Sequence, residues 1–516
     1  MARRTASKIG AVLPDQHHAR PALRALAIVR SVVALAGVAT GCGASGRPAV
    51  TPPSDATADV LTDAGAGDGQ DSSSLATGGA GGGGSGGGDR DAGGAGGAPA
   101  TGGTSGGSGG AGDAGFLTGL EKTPPYPATS YPSENPFGPE KAVLGKILFW
   151  DEQLSSKDTH ACGTCHRPSA GGSDPRSVSE VSLGAGPNGM FGDGDDARGS
   201  QGVARCDSAG TPKADPVYGL AVQITTRKAP SVLDAWFFDE LFWDGRAKTS
   251  FVDPVTGAVA IQSGGALEAQ AAGPPVNSAE MSCEGHSWTA IESKLRAAVP
   301  LELASQLPPA MSQAIAAHPT YPSLFEWAYG TPEITARRIL FAIATYERQL
   351  RSDQTPWDRY NAGEASALTP DQEAGLAVFN LRGRCNKCHV PPMFTDNTFH
   401  NIGVQAPSLD SGRSLVSGEA GDLGKMKTPS LRNVGLRAAG GLLHHGTGGG
   451  ATLLSVLSAY REGGVFHENT DPEIEVLNMR EYEFQQLLDF VQNGLTDPRV
   501  RDELPPFDRP RLRSER

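Results

Sequence analysis

Apolar residues recur at helical spacing in several stretches of the chain. At 142–150, Val143, Leu144, Ile147 and Leu148 fall on one face. Ile339, Ile343, Tyr346 and Leu350 repeat in the same way and predict a linking helix. Thr369-Pro370-Asp371-Gln372 has the form of a capping box with Pro at the first helical position. Ala374, Leu376, Ala377 and Phe379 continue a short apolar helix after it. Further on, 453–460 reads as a helix, and so do Phe484, Leu487, Leu488, Val491 and Leu495, with Gly494 as the stop signal. Strand alternation is scarce. The pattern predicts a mostly α protein with long loops. The longest loop, 171–226, is rich in Gly and Asp, and Asp193, Asp195 and Asp196 sit close together in it. No Glu follows at the twelfth position of an EF-hand loop, so a solvated loop is the better reading than a calcium site.

The ends of the chain read differently. Residues 1–42 have the form of an export signal. Arg3, Arg4, Lys8, Arg20, Arg24 and Arg30 make a basic start, and the apolar run at 32–39 is too short for a permanent membrane span. Thr40-Gly41-Cys42 resembles a bacterial lipobox with Cys42 as the acylated residue; ordinary cleavage nearby is the alternative. Residues 43–116 are dominated by Gly, Ala, Ser, Thr and Asp and cannot bury a core, which predicts a flexible tether. Membrane contact is then expected through the lipid alone, in the periplasm or at the outer membrane. About 400 residues remain, enough for two domains. With 44 basic and 57 acidic residues, nucleic acid is not an expected partner.

Two copies of Cys-x-x-Cys-His carry the chemistry. They are Cys162-Gly163-Thr164-Cys165-His166 and Cys385-Asn386-Lys387-Cys388-His389. Two thiols at this spacing reach the two vinyl groups of one porphyrin, and the adjacent His turns under the ring to ligate iron. Zinc or a redox dithiol also uses Cys-x-x-Cys, but neither requires the following His, and a zinc ribbon would place its two pairs about 15–20 residues apart. The reading is two covalently bound haem c groups. With Cys42 assigned to lipid, Cys206 and Cys283 are left over from the seven cysteines. An even remainder in an exported chain suggests a disulfide; two separate buried thiols are the alternative.

The segment from Leu144 to Asp497 resembles the bacterial diheme cytochrome c peroxidases and their MauG-type relatives. The resemblance is carried by 144–151, by Phe242-Trp243-Asp244-Gly245-Arg246, by Gln270-Ala271-Ala272-Gly273-Pro274 leading to Asn277-Ser278-Ala279-Glu280-Met281, by Phe399-His400-Asn401-Ile402-Gly403-Val404 and by Lys427-Thr428-Pro429-Ser430-Leu431-Arg432-Asn433. It implies two cytochrome c-like helical domains, each around one haem. The first would span 117–355 with the peroxidatic haem on His166. The second would span 356–500 with the electron-relay haem on His389, leaving 501–516 as a tail. It further implies that Gln270 and Glu280 stand over the open face of the first haem. A carboxylate there can take a proton from one peroxide oxygen and return it to the other, while an amide holds the peroxide. Trp243 would lie between the haems. Tyr460 stands where the family places the second iron's sixth ligand; no Met occurs in its helix, so Met426 and Met479 read as packing residues.

Two departures from the family pattern bear on function. No His lies between His166 and His286, so the first haem is expected to be open at rest. Lys228 occupies the Arg227-Lys228-Ala229-Pro230 position at which the family has a calcium-ligating Asn. Calcium held by the carbonyls of Thr428 and Pro429 is left in doubt, and the Lys228 ammonium could stand in for the ion. The expected activity is reduction of hydrogen peroxide with electrons from a small cytochrome or cupredoxin. The alternatives are a MauG-like enzyme that uses peroxide to oxidise residues of a partner protein, and a non-catalytic diheme electron carrier.

Overall fold

The computed structural model describes residues 123–439 and 452–516. The export signal, Cys42, the whole of the tether, and His444 and His445 lie outside them. Among the described residues, helices dominate: α1 Pro139–Phe149, α2 Cys162–Cys165, α3 Ala266–Ala271, α4 Trp288–Ala297, α5 Pro309–Ala317, α6 Tyr321–Tyr329, α7 Ala336–Glu347, α8 Pro356–Asn361, α9 Pro370–Asn380, α10 Ser414–Ser417, α11 Val434–Ala439, α12 Leu453–Arg461, α13 Glu481–Asp489 and α14 Pro498–Arg501. Strands appear only as short antiparallel pairs: β1 Leu183–Gly184 with β2 Ala197–Arg198, β3 Gln201–Ala204 with β4 Val222–Ile224, β5 Phe251–Val252 with β6 Val259–Ile261, and β7 Phe399–His400 with β8 Met426–Lys427. No described helix is long and apolar enough to cross a membrane.

The sequence signals act locally as their chemistry requires. The Thr369 hydroxyl accepts the Gln372 amide at 3.2 Å, and the Gln372 side chain accepts the Thr369 amide at 3.1 Å. That reciprocal box starts α9. At the other end of the second half, α13 gives way to a π-helical turn, Phe490–Gly494. The long loop at 171–226 contains β1 to β4, and in it Asn188 donates to Asp193 at 2.7 Å and to Asp195 at 3.1 Å.

Two hydrophobic cores result. The first gathers Leu144, Ile147, Leu148 and Trp150 of α1 with Phe325 of α6 and Ile339, Ile343 and Tyr346 of α7. The second gathers Phe379 of α9, Phe394, Leu457 of α12, and Phe484, Leu487 and Phe490 around α13. Each core contains a tight helix crossing at a glycine. A Cβ on Gly145 would stand 1.8 Å from the Ala342 carbonyl oxygen of α7, and one on Gly375 would stand 2.1 Å from that of Gln486 in α13. No side chain fits at either crossing.

The segment 501–516 is built into the first core. Phe507 and Leu512 are fully buried there, Lys146 pairs with Asp508 at 2.5 Å, and Arg167 pairs with Glu515. These contacts join residues about 350 positions apart, so nothing periodic in the local sequence announces them.

Candidate functional site

Each Cys-x-x-Cys-His loop places its histidine beside a large cavity. The His166 Nδ1 lies 3.1 Å from the Gly172 carbonyl, and the His389 Nδ1 lies 3.0 Å from the Phe394 carbonyl. In both rings Nδ1–H is the donor, which makes Nε2 the nitrogen that carries the lone pair in the neutral ring. Burial lowers the pKa of both rings, His389 to about 4, with the carbonyl bonds opposing. A neutral imidazole is the form that ligates a metal. The four thiols, Cys162, Cys165, Cys385 and Cys388, are free of disulfides.

The first cavity, about 1340 Å³ with its open mouth, is lined by Cys162, Cys165 and His166 together with Gln270, Glu280 and Trp243. The second, about 1540 Å³, is lined by Cys385, Cys388 and His389 together with Trp243, Tyr460 and Met479. A smaller one of about 880 Å³ shares His166, Lys228, Gln270 and Glu347 with the first, and Lys427, Pro429 and Arg437 with the second. Residues with a buried polar atom that makes no hydrogen bond line the two main cavities: His160 (Nε2) and Glu347 (Oε2) at the first, Gln405 (Oε1) at the second. A flat apolar ring with charged edge groups fits such walls, and the thiol pairs and free imidazole nitrogens match the attachment and ligation of haem.

Trp243 lines all three cavities. Its indole Nε1 donates to the Lys228 carbonyl at 2.8 Å, and its own carbonyl accepts the Lys427 amide at 2.7 Å. The turn that carries it is held by Asp244, which accepts from Arg227 and Arg246; Arg227 reaches on to Asp410 at 2.7 Å. Phe242 adopts φ +67, a left-handed conformation, and the Arg246 guanidinium stacks 3.6 Å above its ring centroid. A strained backbone beside a large cavity is a mark of a functional turn.

Gln270 sits at the end of α3, and Glu280 on the loop before Cys283. Glu280 is pressed against β3: a Cβ on Gly202 would stand 1.7 Å from the Ala279 carbonyl oxygen and 3.0 Å from the Glu280 Cα. The same loop is tied by a Cys206–Cys283 disulfide, by the Glu284 amide on the Cys206 carbonyl at 2.9 Å, and by the Cys283 amide on Ser156 Oγ at 2.7 Å. Burial raises the Glu280 carboxyl above its ordinary range, and Arg246 partly opposes this.

At the second cavity Tyr460 comes from α12, and burial raises its phenol. Met426 and Met479, read from the sequence as packing residues, line this cavity too, and Met479 is also buried in the second core. His400 lines it as well, but both ring nitrogens are committed: Nε2 to Asp396 at 2.7 Å and Nδ1 to Asp471 at 2.5 Å. An imidazole clamped between two carboxylates holds its proton and has no lone pair for iron. At the first cavity the sequence reading did not single out His160 or Glu347. A signal for Glu347 existed: α7 is apolar almost all round, so an acid in its last turn is out of place.

Between the two histidine sites, Lys228 is 2% exposed. Burial lowers its pKa to about 7, the nearby Arg437 lowers it further, and Asp174 opposes. The Thr428 carbonyl accepts the Thr395 hydroxyl at 2.7 Å.

Two Cys-x-x-Cys-His loops, each opening on a mostly apolar cavity and sharing one tryptophan wall, have the arrangement of a protein with two haem sites. The comparisons place it. The family described as di-haem cytochrome c peroxidase matches residues 139–366. The methylamine utilization protein MauG of Methylorubrum extorquens is 30% identical over 370 residues, covering 71% of this chain and 82% of that one. The cytochrome-c peroxidase IdrP1 of Denitromonas iodatirespirans is 26% identical over 412 residues, covering 73% and 88%. A solved MauG-like protein associated with microbial copper homeostasis shares the fold, with a TM-score of 0.51 at 23% identity over 76% of this chain and 97% of that one. The chain belongs to the diheme cytochrome c peroxidase and MauG family, and that family implies two haem c groups.

Proposed function

We propose that the chain reduces hydrogen peroxide at a haem attached through Cys162 and Cys165 and ligated by His166. Electrons come from a small donor protein by way of a second haem on Cys385, Cys388 and His389. The observation that carries this is the meeting of Gln270 and Glu280 with His166 in one cavity. An electron carrier has no use for an amide and a proton-transferring acid beside its iron. The relatives named as cytochrome c peroxidases support the reading.

The bound haem iron would supply the redox chemistry of O–O reduction, in which peroxide, two electrons and two protons give two waters. The chain's own residues do the rest. The Gln270 amide can donate to a peroxide oxygen and orient it. The Glu280 carboxylate takes the proton from one oxygen and delivers it to the leaving one. Its raised pKa brings it closer to the operating pH, where such an exchange is most efficient. Trp243, shared by all three cavities, offers a conjugated wall between the two sites. Tyr460 is the candidate sixth ligand of the second iron; a hard oxygen donor there lowers the potential relative to a thioether. Lys228 stands for the family's inter-haem cation, with calcium left to backbone carbonyls if it binds.

The reading divides the chain into two haem-bearing helical domains, one around each core. It places the enzyme outside the cytoplasm, held to a membrane by a lipid on Cys42 and spaced from it by the 43–116 tether. A MauG-like role is the second reading, favoured by Tyr460 in the second cavity. It predicts that peroxide reacts with the fully oxidised protein without prior reduction.

Glu280→Gln tests the main reading. It keeps size and burial but removes the titrating proton carrier. Turnover with peroxide should fall by about 10²–10⁴ while peroxide still binds. Gln270→Ala should cost less. Full activity in Glu280→Gln removes the acid–base assignment.

A further inference from the structure

We infer that Glu347 is a second proton-holding residue of the first cavity and supplies a proton that Glu280 hands to peroxide. The inference rests on the reading of this cavity as the peroxide-reducing haem site.

The geometry comes first. Glu347 is the last residue of α7 and is 3% exposed. It lines both the first cavity, with Glu280 and Gln270, and the adjoining one, with Lys228 and Trp243. Its Oε2 is buried and makes no hydrogen bond. A structural glutamate at such a depth would be paired, because an ionised carboxylate without donors is costly to bury. Glu347 has an obvious partner next door and does not use it: Arg348 is committed to Glu268, at 2.7 and 3.0 Å.

Burial, more than the surrounding charges, favours the neutral acid. Glu268, on α3, adds negative charge, and Arg348, just after α7, opposes it. Glu280 is a further acid in the same cavity, and Lys228, Lys427 and Arg437 line the adjoining one. Burial, the largest cause, pushes the Glu347 carboxyl up to about 8. At neutral pH the group therefore carries a proton, next to a site whose reaction consumes two.

That stoichiometry gives the residue its purpose. Glu280 moves a proton from one peroxide oxygen to the other, which changes no total. The two protons that end in water must enter from outside, together with two electrons from the donor protein. A neutral acid in the wall of the cavity delivers one and is refilled between turnovers. When an electron arrives at the site, the added negative charge strengthens the hold of any nearby acid on its proton. Glu347 thus keeps its proton through reduction at neutral pH and, above about pH 8, takes one up with the electron.

The experiment uses the mature, haem-loaded full chain and Glu347→Gln, which keeps volume and removes the acid. Infrared difference spectra should show a protonated-carboxyl carbonyl band in the wild type. It should titrate near pH 8 and be absent in Glu347→Gln, with a separate loss in Glu280→Gln. The midpoint potential of the first haem, measured by spectroelectrochemistry, should be flat at neutral pH and fall with rising pH above about 8, where only the reduced site still holds the proton. In Glu347→Gln that dependence should flatten, while the second haem is unchanged. A carbonyl band that survives in Glu347→Gln, or an unaltered pH dependence of the potential, overturns the inference. Neither measurement uses peroxide, so its outcome is independent of the turnover test on Glu280.

Discussion

Gln270 can orient a substrate only if α3 is held still, and one buried ion pair holds it. Arg348 at the end of α7 grips Glu268 of α3 through both guanidinium nitrogens, at 2.7 and 3.0 Å, and also reaches the Gly264 carbonyl at 2.9 Å. The side chains are 3% and 0% exposed, so solvent screens almost nothing. The Asn135 amide completes the Glu268 shell at 2.7 Å, and Lys141 secures Asn135 at 2.7 Å. Arg348→Met fills similar space but leaves Glu268 with one amide for company. Removing one partner of a buried pair costs about 3–5 kcal/mol. A double change, Glu268→Leu with Arg348→Met, removes both charges. It leaves the Asn135 amide and the Gly264 carbonyl short of one partner each, about 1–3 kcal/mol apiece at most. Two apolar side chains filling the site offset part of that. The single variant should therefore be the less stable of the two in urea denaturation of the holoprotein followed by circular dichroism. The KM for peroxide should rise in Arg348→Met, because Gln270 lies two residues from Glu268 on the same short helix. A loss below about 1 kcal/mol in Arg348→Met, or a double variant clearly worse than the single, refutes the argument.

Three further outcomes follow from the same geometry. Gly202→Ala drives a methyl into the Ala279 carbonyl and displaces Glu280; a shift near 1 Å should lower kcat on the order of 10²-fold with little change in haem content, read by steady-state turnover. Tyr460→Met should raise the potential of the second haem and change its ligand-field spectrum; if neither moves, the ligand is elsewhere, and His444, His445 or Met479 takes its place as candidate. The acid limb of peroxide turnover should follow Glu280, whose ionised form accepts the first proton; because Arg246 opposes the rise in its pKa, Arg246→Gln should shift that limb to higher pH, read from the kcat/KM profile.

What the sequence disclosed depended on the range of the interaction. The capping box of α9 was legible because Thr369 and Gln372 satisfy each other across three residues. The haem loops were legible because porphyrin chemistry fixes thiol and imidazole spacing within five residues. The meeting of Cys206 with Cys283 came from counting the cysteines that were left, and the structure joins them. Gln270 and Glu280 were found only through resemblance, since ten residues of loop carry no periodic signal. Contacts made across the whole chain stayed hidden. Phe507 and Leu512 look like parts of a polar tail until their place in the first core is known. The strands β1 to β8 are two to four residues long, too short for alternation to register. Met479 reads as a packing residue and is one, and its place in the wall of the second cavity depends on contacts too distant in the chain to leave a local pattern.

The two cavities divide their labour along chemical lines. Protons are needed only where an O–O bond breaks, and two acids that burial pushes up, Glu280 and Glu347, both line the first cavity. The second is walled by Leu453, Val456, Leu457, Leu487 and Val491, with Tyr460 and the methionines as its soft or phenolic donors. Among the described residues its one histidine besides His389, His400, is disarmed by Asp396 and Asp471. The carboxylates that line it are paired with arginines, Glu473 and Glu475 with Arg384 and Asp410 with Arg227, which suits the electron-exchanging role proposed for it. Trp243 belongs to both walls and is fixed from both sides by backbone bonds to Lys228 and Lys427. On the proposed reading, electron traffic between the sites would have a conjugated route, with Glu280 and Glu347 both on the side of the first cavity.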